Sequence, residues 1–299
     1  SGTACYSVRR DARERMEATL KPRLFAPTVV LSAFLLFLAQ PVAGKVLLPW
    51  FGGSAGVWAT CLVFFQGQLL LGYLYSHWLV SGLRPKAQAL SHAAVLATSV
   101  LLLRFAANGG RRPAGDGDPT LPILGTLAVM LGLPYLALAT STPLVQTWYA
   151  RSRGSAMPYR LYAFSNAGSL AALLCYPVLV EPYLSLRSQT MAWSAGYVVY
   201  AVLAGALALA GYGQRAAVSP GLRTAESPAT PPGWGRRLLW VALAGCASAL
   251  LLASTNLLTE DVAPVPFLWI LPLGLYLASF ILCFAHGPWY SSRLFGWLV

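Results

Sequence analysis

The sequence predicts an all-α fold, a polytopic transmembrane bundle of about eight helices. Of the 299 residues, 57% are hydrophobic and 10% are charged, and the mean hydropathy is +0.60. Soluble domains carry about 25% charged residues, and disordered chains combine low hydrophobicity with high charge, so both classes are excluded. The apolar runs are continuous and do not alternate with a period of two, so they predict helices and not the strands of a barrel.

Eight apolar segments approach the roughly 20 residues that a helix needs to cross a bilayer. The predicted spans are 25–48, 56–80, 87–104, 121–148, 160–181, 188–212, 238–259 and 264–285. The apolar run that follows the basic segment 1–23 is too long for a cleaved signal peptide, so it predicts an anchor that is retained. Residues 214–236 include Pro220, Pro228, Pro231 and Pro232 and therefore predict a linker.

These elements divide the chain into four parts. A basic cytoplasmic N-terminal segment, 1–23, precedes a six-helix transmembrane half, 24–213. The proline-rich cytoplasmic linker, 214–236, leads to the start of a second transmembrane part, 237–299. Because the sequence ends in what reads as the opening turns of another apolar helix, we expect that the native protein continues beyond residue 299.

The basic residues predict the orientation of the chain. With the N-terminus in the cytoplasm, sixteen of the 21 Lys and Arg residues lie on the cytoplasmic side and four outside, as the positive-inside rule requires. In a soluble protein a net charge of +12 would suggest nucleic acid. Here the loop distribution accounts for that charge, so the predicted partner is the lipid bilayer and not nucleic acid.

Two parts of the sequence suggest an internal repeat. Gly53-Ser54-Ala55 recurs as Gly154-Ser155-Ala156, and Tyr75 recurs as Tyr176 at the same offset. The first three helices would start inside and the next three outside, so the two trios would be inverted repeats, as in major facilitator transporters. Chance similarity among apolar segments rich in glycine and proline is the alternative.

Several longer motifs carry a family resemblance. They are QPVAGKVLLPWFGGS at 40–54, VWATC at 57–61, GYLYSH at 72–77, YAFSNAGSL at 162–170, LVEP at 179–182, LTEDVA at 258–263 and PFLWILPL at 266–273. Together they resemble the membrane part of bacterial fused major facilitator/spermidine synthase-like proteins. The resemblance covers about residues 25–290 and implies a bacterial inner membrane protein.

In that family a cytoplasmic domain similar to aminopropyltransferases follows the helices. The glycine-rich stretch 52–56 lies between two spans and lacks the strand–turn–helix setting of a phosphate-binding loop. The sequence also contains no Ser/His/Asp, HExxH or paired-carboxylate motif. We therefore expect that this chain is not an enzyme and that it has no catalytic residue, cofactor or metal site.

Two functions remain open from the sequence. One is a transporter-like or substrate-presenting module for a cationic or amphiphilic small molecule such as a polyamine. The other is a non-transporting scaffold, an anchor, a homo-oligomer or a subunit of a larger membrane complex. The candidate residues of a ligand cavity are Gln40, Lys45, Gln66, Asn166, Glu181, Asn256, Glu260 and Asp261. Interhelical hydrogen bonds are the alternative role for the amides.

Lys45 is the basic residue placed well inside a predicted span. Its ammonium either snorkels to the interface or pairs with Glu181, at the outer end of the fifth span, or with Glu260 and Asp261 in the loop predicted between the last two spans. Gln40 precedes Pro41, and Pro143 lies at the matching place in the fourth span. These prolines predict either helix breaks, which mark transporter sites, or simple kinks.

Overall fold

The computed structural model describes residues 2–103, 118–153, 159–212, 233–262 and 270–284. Within these ranges, the side chains of 2–23, 55, 151–153, 159, 210–212, 256 and 258–262 are not described. The loop between the third and fourth predicted spans, 105–120, and the linker 214–236 fall mostly outside the described residues. The same holds for the second copy of the Gly-Ser-Ala motif, so the structure does not test the repeat.

The described residues form eight helices, as predicted. Helix α1 spans Gly2–Phe51, α2 spans Ala55–Gly82 and α3 spans Pro85–Leu101. Helix α4 joins Thr120–Leu127, a π-helical turn at Ala128–Gly132 and Leu133–Arg153. Helix α5 joins Tyr159–Cys175, a π-helical turn at Tyr176–Val180 and Glu181–Tyr183. Helix α6 spans Leu186–Tyr212, α7 spans Trp234–Val262 and α8 spans Ile270–Phe284.

Six of these helices are long and apolar enough to cross a membrane. Their spans are Leu24–Phe51, Gly56–Gly82, Thr120–Ala150, Arg160–Tyr183, Leu186–Leu209 and Trp234–Thr255. Helices α3 and α8 are shorter, with 17 and 15 residues. By length and composition, the chain is a multi-pass membrane protein with a helical bundle.

Helix α1 lies at the centre of the bundle and packs against α4, α5 and α6. Two side chains of α6 tie the packing together, because Trp193 Nε1 donates to the Leu35 carbonyl at 2.8 Å and the Tyr200 hydroxyl donates to the Ala137 carbonyl at 2.8 Å. At Gly168 of α5 a Cβ atom would lie 2.5 Å from the Val30 carbonyl oxygen of α1. Small residues allow such close approach between membrane helices.

The helix breaks considered at Pro41 and Pro143 do not occur. Helix α1 continues through Pro41 to Phe51, and Leu133–Arg153 contains Pro143 within its length. Membrane helices tolerate proline because neighbouring groups satisfy the backbone that it frees, and the Thr147 hydroxyl donates to the Pro143 carbonyl at 2.8 Å. The irregular backbone lies instead in the π-helical turns of α4 and α5.

The ends of α7 differ from the prediction. The helix begins at Trp234, inside the predicted linker 214–236, and continues to Val262. Glu260 and Asp261 therefore occupy helical positions and not the loop predicted between the last two spans, while their location on the outer side stays a prediction. The helix runs on because the first helix-breaking residue is Pro264, which disfavours helical backbone at the residue before it.

Candidate functional site

Lys45 and Glu181 form an ion pair between α1 and α5. The Lys45 Nζ atom lies 2.7 Å from Glu181 Oε1. The two side chains are 32% and 33% exposed, so each is partly covered by the bundle. The predicted pairing is confirmed, and snorkelling without an acidic partner is excluded.

The second carboxylate oxygen of Glu181 receives hydrogen bonds from uncharged side chains. The Tyr176 hydroxyl donates to Oε2 at 2.9 Å, and Gln189 Nε2 makes a longer contact with the same oxygen at 3.5 Å. The carboxylate is therefore held by donors from α1, α5 and α6. Such additional hydrogen bonds are what a charge needs to offset its desolvation in a low-dielectric region.

The π-helical turn of α5 brings Tyr176 and Glu181 together. The two residues are five positions apart, and in an α-helix that spacing would place their side chains about 140° apart around the axis. The π-helical turn Tyr176–Val180 adds residues to one turn, so positions i and i+5 lie on the same face. The backbone N–H of Glu181 also bonds to the Tyr176 carbonyl. The local irregularity is thus what lets the phenol reach the carboxylate.

Gln189 anchors the first turns of α6 beneath this carboxylate. Its side chain is 2% exposed, and Nε2 donates to the Leu184 carbonyl at 2.9 Å, with a longer contact of 3.4 Å to the Val180 carbonyl. Its Oε1 atom is buried and has no hydrogen-bond partner among the described residues. Among the described residues, Oε1 is therefore an acceptor without a donor, on a side chain whose amide nitrogen contacts Glu181.

Sequence reasoning missed Tyr176 and Gln189 as parts of this site. Tyr176 entered only through the repeat comparison, because an α-helical spacing separates it from Glu181. Gln189 had a usable signal, since it is an uncharged polar residue in the first turn of the predicted sixth span, eight positions after Glu181.

Three other predicted residues, Gln40, Gln66 and Asn166, do not join the ion pair. Gln40 Nε2 donates to the Tyr135 hydroxyl at 3.2 Å, which links α1 to α4. Asn166 Nδ2 donates to the Tyr162 carbonyl of its own helix at 2.8 Å, and Gln66 is exposed on α2. The side chains of Asn256, Glu260 and Asp261 lie outside the described residues. The structure therefore brings together two of the predicted residues and supports interhelical or local hydrogen bonding for Gln40 and Asn166.

Comparison of the chain with protein-family models, curated proteins and solved structures found no match. The resemblance to fused major facilitator/spermidine synthase-like proteins therefore stays a prediction. Within the part of the chain that the structure describes, no group of three or more His, Cys, Asp or Glu side chains could hold a metal ion. The site is thus a carboxylate that accepts hydrogen bonds from Lys45, Tyr176 and Gln189. The amide oxygen of Gln189 has no donor among the described residues.

Proposed function

We propose that this chain is a transporter-like or substrate-presenting membrane module that binds a small organic cation, polyamine-like in chemistry, at the Glu181 carboxylate. The observation that carries the proposal is the buried Gln189 Oε1 atom, which has no partner among the described residues while its amide nitrogen contacts Glu181. A carboxylate and a free amide oxygen together form an acceptor site. An alkylammonium group, with three donors and no acceptor, suits such a site.

Lys45 supports the same ligand class. Its side chain is itself an alkylammonium, and it sits 2.7 Å from Glu181 Oε1. A ligand ammonium would bind the same carboxylate by displacing Lys45, so the resident side chain and the ligand compete. In this proposal the Lys45–Glu181 pair closes the site when no ligand is bound.

The wider setting of the proposal comes from the sequence. The distribution of Lys and Arg favours a cytoplasmic N-terminus and places Lys45 and Glu181 near the outer face. The family resemblance suggests a bacterial inner membrane, inverted three-helix repeats and a following cytoplasmic aminopropyltransferase-like domain. Such a domain would receive the cation that the membrane module binds.

Spermidine binding to the purified chain in lipid nanodiscs tests the proposal. Calorimetry should detect binding to the wild type, and Glu181→Gln should abolish it. Lys45→Met removes the competing ammonium, so it should tighten binding about tenfold, which corresponds to about 1.4 kcal/mol. Asp118→Asn is the matched control, because it removes an exposed carboxylate from a loop outside the spans. Equal affinities of the wild type and Glu181→Gln would refute the proposal.

Proteoliposomes separate transport from presentation. Uptake of labelled spermidine that is lost in Glu181→Gln would identify a transporter. Binding without uptake would identify a substrate-presenting module.

A scaffold or homo-oligomer is the second candidate, and α7 favours it. In the span Trp234–Thr255, none of the most apolar window is buried against the rest of the described chain. Cys246 is an exposed free cysteine in this span and therefore a native cross-linking probe. A disulfide-linked dimer that forms in membranes and disappears in Cys246→Ser would support self-association, whereas monomers throughout would count against it.

A further inference from the structure

The two oxygens of the Glu181 carboxylate have different partners. Oε1 lies 2.7 Å from Lys45 Nζ and accepts no other hydrogen bond from the described residues. Oε2 accepts a hydrogen bond from the Tyr176 hydroxyl at 2.9 Å and makes a longer contact with Gln189 Nε2 at 3.5 Å. Each oxygen of an ionised carboxylate can accept about two hydrogen bonds. The protein therefore occupies Oε2 with its own uncharged donors and leaves Oε1 to a cation.

The donors on Oε2 are held in place by the surrounding protein. Tyr176 is 8% exposed, and its backbone carbonyl accepts the N–H of Glu181 through the π-helical turn. Gln189 is 2% exposed, and its Nε2 atom also donates to the Leu184 carbonyl at 2.9 Å. The Lys45 and Glu181 side chains are, by contrast, about one-third exposed. The Lys45 ammonium itself shows that the space at Oε1 holds one alkylammonium group.

Organic cations differ in how many carboxylate oxygens they need. A primary ammonium can bind through a single N–H to one oxygen, whereas a guanidinium binds best through two parallel N–H bonds to both oxygens. A guanidinium at Glu181 would have to share Oε2 with Tyr176 and Gln189. A quaternary ammonium has no N–H, so it cannot make the hydrogen bond that Lys45 makes to Oε1.

We infer that the Glu181 site selects primary alkylammonium groups over guanidinium and quaternary ammonium groups, and that Tyr176 sets its selectivity against guanidinium. The inference rests on the proposed cation site and narrows its ligand class. Tyr176 acts through Glu181, because its hydroxyl occupies Oε2 and leaves one oxygen to the ligand. Without that hydroxyl, Oε2 becomes accessible to the second N–H of a guanidinium.

Chemical rescue of Lys45→Ala tests this inference. The substitution removes Cγ, Cδ, Cε and Nζ of the lysine, and these atoms correspond to those of propylammonium. The variant in mixed micelles is titrated with propylammonium, propylguanidinium or propyltrimethylammonium. The rise in unfolding temperature gives the apparent affinity for each cation, because a ligand that binds only the folded state stabilises it. The double variant Lys45→Ala with Glu181→Gln lacks the carboxylate and measures the non-specific effect of each cation.

Propylammonium should bind Lys45→Ala about tenfold more tightly than propylguanidinium, the difference expected for one hydrogen bond to a charged group. Propyltrimethylammonium should give no rise beyond that of the variant without the carboxylate. Adding Tyr176→Phe should make the affinities for propylammonium and propylguanidinium about equal. Tyr183→Phe is the matched control, because it removes a hydroxyl from the same helix at a residue that is 78% exposed. It should leave the preference unchanged.

If Lys45→Ala does not fold by itself, the concentration of each cation that restores folding gives the same ranking. Equal rescue by propylammonium and propylguanidinium while Tyr176 is present would overturn the inference. A preference that survives Tyr176→Phe would overturn it as well, and so would the absence of rescue by any cation. The proposed function fails by a different result, which is equal spermidine binding by the wild type and Glu181→Gln.

Discussion

The apolar spans of α1 and α7 have the same mean hydropathy, but they differ in how much of each is buried within the chain. The spans Leu24–Phe51 and Trp234–Thr255 both have a hydropathy of 1.9, yet 56% of the first window is buried within the chain and 0% of the second. Hydropathy measures how favourably a segment transfers from water into lipid. Because lipid tails are as apolar as leucine, it does not predict which helices associate within the membrane. In α1, close backbone approach and polar contacts supply the association. In α7, by contrast, none of the most apolar window is buried against the rest of the described chain.

The largest expected effect comes from placing a large side chain at the close contact between α1 and α5. Gly168→Leu places a side chain where even a Cβ atom would meet the Val30 carbonyl oxygen at 2.5 Å. Backbone cannot yield as a flexible side chain does, so the helices must separate. We expect a loss of about 3 kcal/mol in the free energy of unfolding, at the upper end of overpacking costs. Reversible unfolding in mixed micelles measures it.

The matching substitution in α7 is Gly245→Leu. Among the described residues nothing lies within 4 Å of a Cβ atom built at this glycine. The change should therefore alter the unfolding free energy by less than about 0.5 kcal/mol. If both leucine variants were equally destabilised, the contrast between the two helices would be false, and α7 would have a packed face in the folded protein.

The polar contacts of α1 give the next effect. Lys45→Met leaves the Glu181 carboxylate with Tyr176 and Gln189 but without its counter-charge. Because both partners are about one-third exposed, we expect a loss of about 2 kcal/mol, below the cost for a fully buried pair. The double variant Lys45→Met with Glu181→Gln should be more stable than Lys45→Met alone, since no charge is stranded. A double-mutant cycle measures the coupling, and a coupling of zero would show that the pair is energetically silent.

The eight helices and this ion pair could be predicted because each leaves a local signal in the sequence. A continuous apolar run indicates a span by itself, and a lone lysine in a span calls for an acidic partner or the interface. The π-helical turn in α5 could not be predicted, because Pro177 indicates a disturbed helix but does not distinguish a π-helical turn from a simple kink. Without it, Tyr176 lies on a different face from Glu181. The isolation of α7 was equally hidden, since its hydropathy matches that of α1.

A buried hydrogen bond between α6 and α1 should contribute less than the ion pair. Trp193 is 1% exposed, and its Nε1 donates to the Leu35 carbonyl at 2.8 Å. Trp193→Phe keeps an aromatic ring but removes this donor, so we expect a loss of about 1 kcal/mol. Trp240→Phe is the control in α7, where the side chain is 55% exposed. Equal losses in the two variants would show that ring size, and not the hydrogen bond, sets the cost.

The smallest effect lies outside the spans, at the start of α4. Asp118 Oδ1 accepts hydrogen bonds from the Thr120 backbone N–H at 3.0 Å and from the Thr120 hydroxyl at 2.7 Å. These bonds favour the carboxylate and hold the pKa of Asp118 below its usual range, the backbone bond contributing most. Because the folded pKa is depressed, the stabilisation is fully present above the unfolded pKa and disappears as the pH falls through the folded pKa.

Asp118→Asn isolates this contribution from the bundle. The amide oxygen can accept the same two hydrogen bonds, but it is uncharged and does not titrate, so the variant should be slightly less stable than the wild type at neutral pH and should approach it in acid. Asp118 is fully exposed, so the acid-induced loss should be small beside the effects at Gly168 and Lys45. Subtracting the unfolding curves of the variant from those of the wild type as the pH is lowered reveals that loss. A wild type that loses stability relative to the variant as the pH rises would have the wrong sign and would show that Asp118 is stabilised in its protonated form.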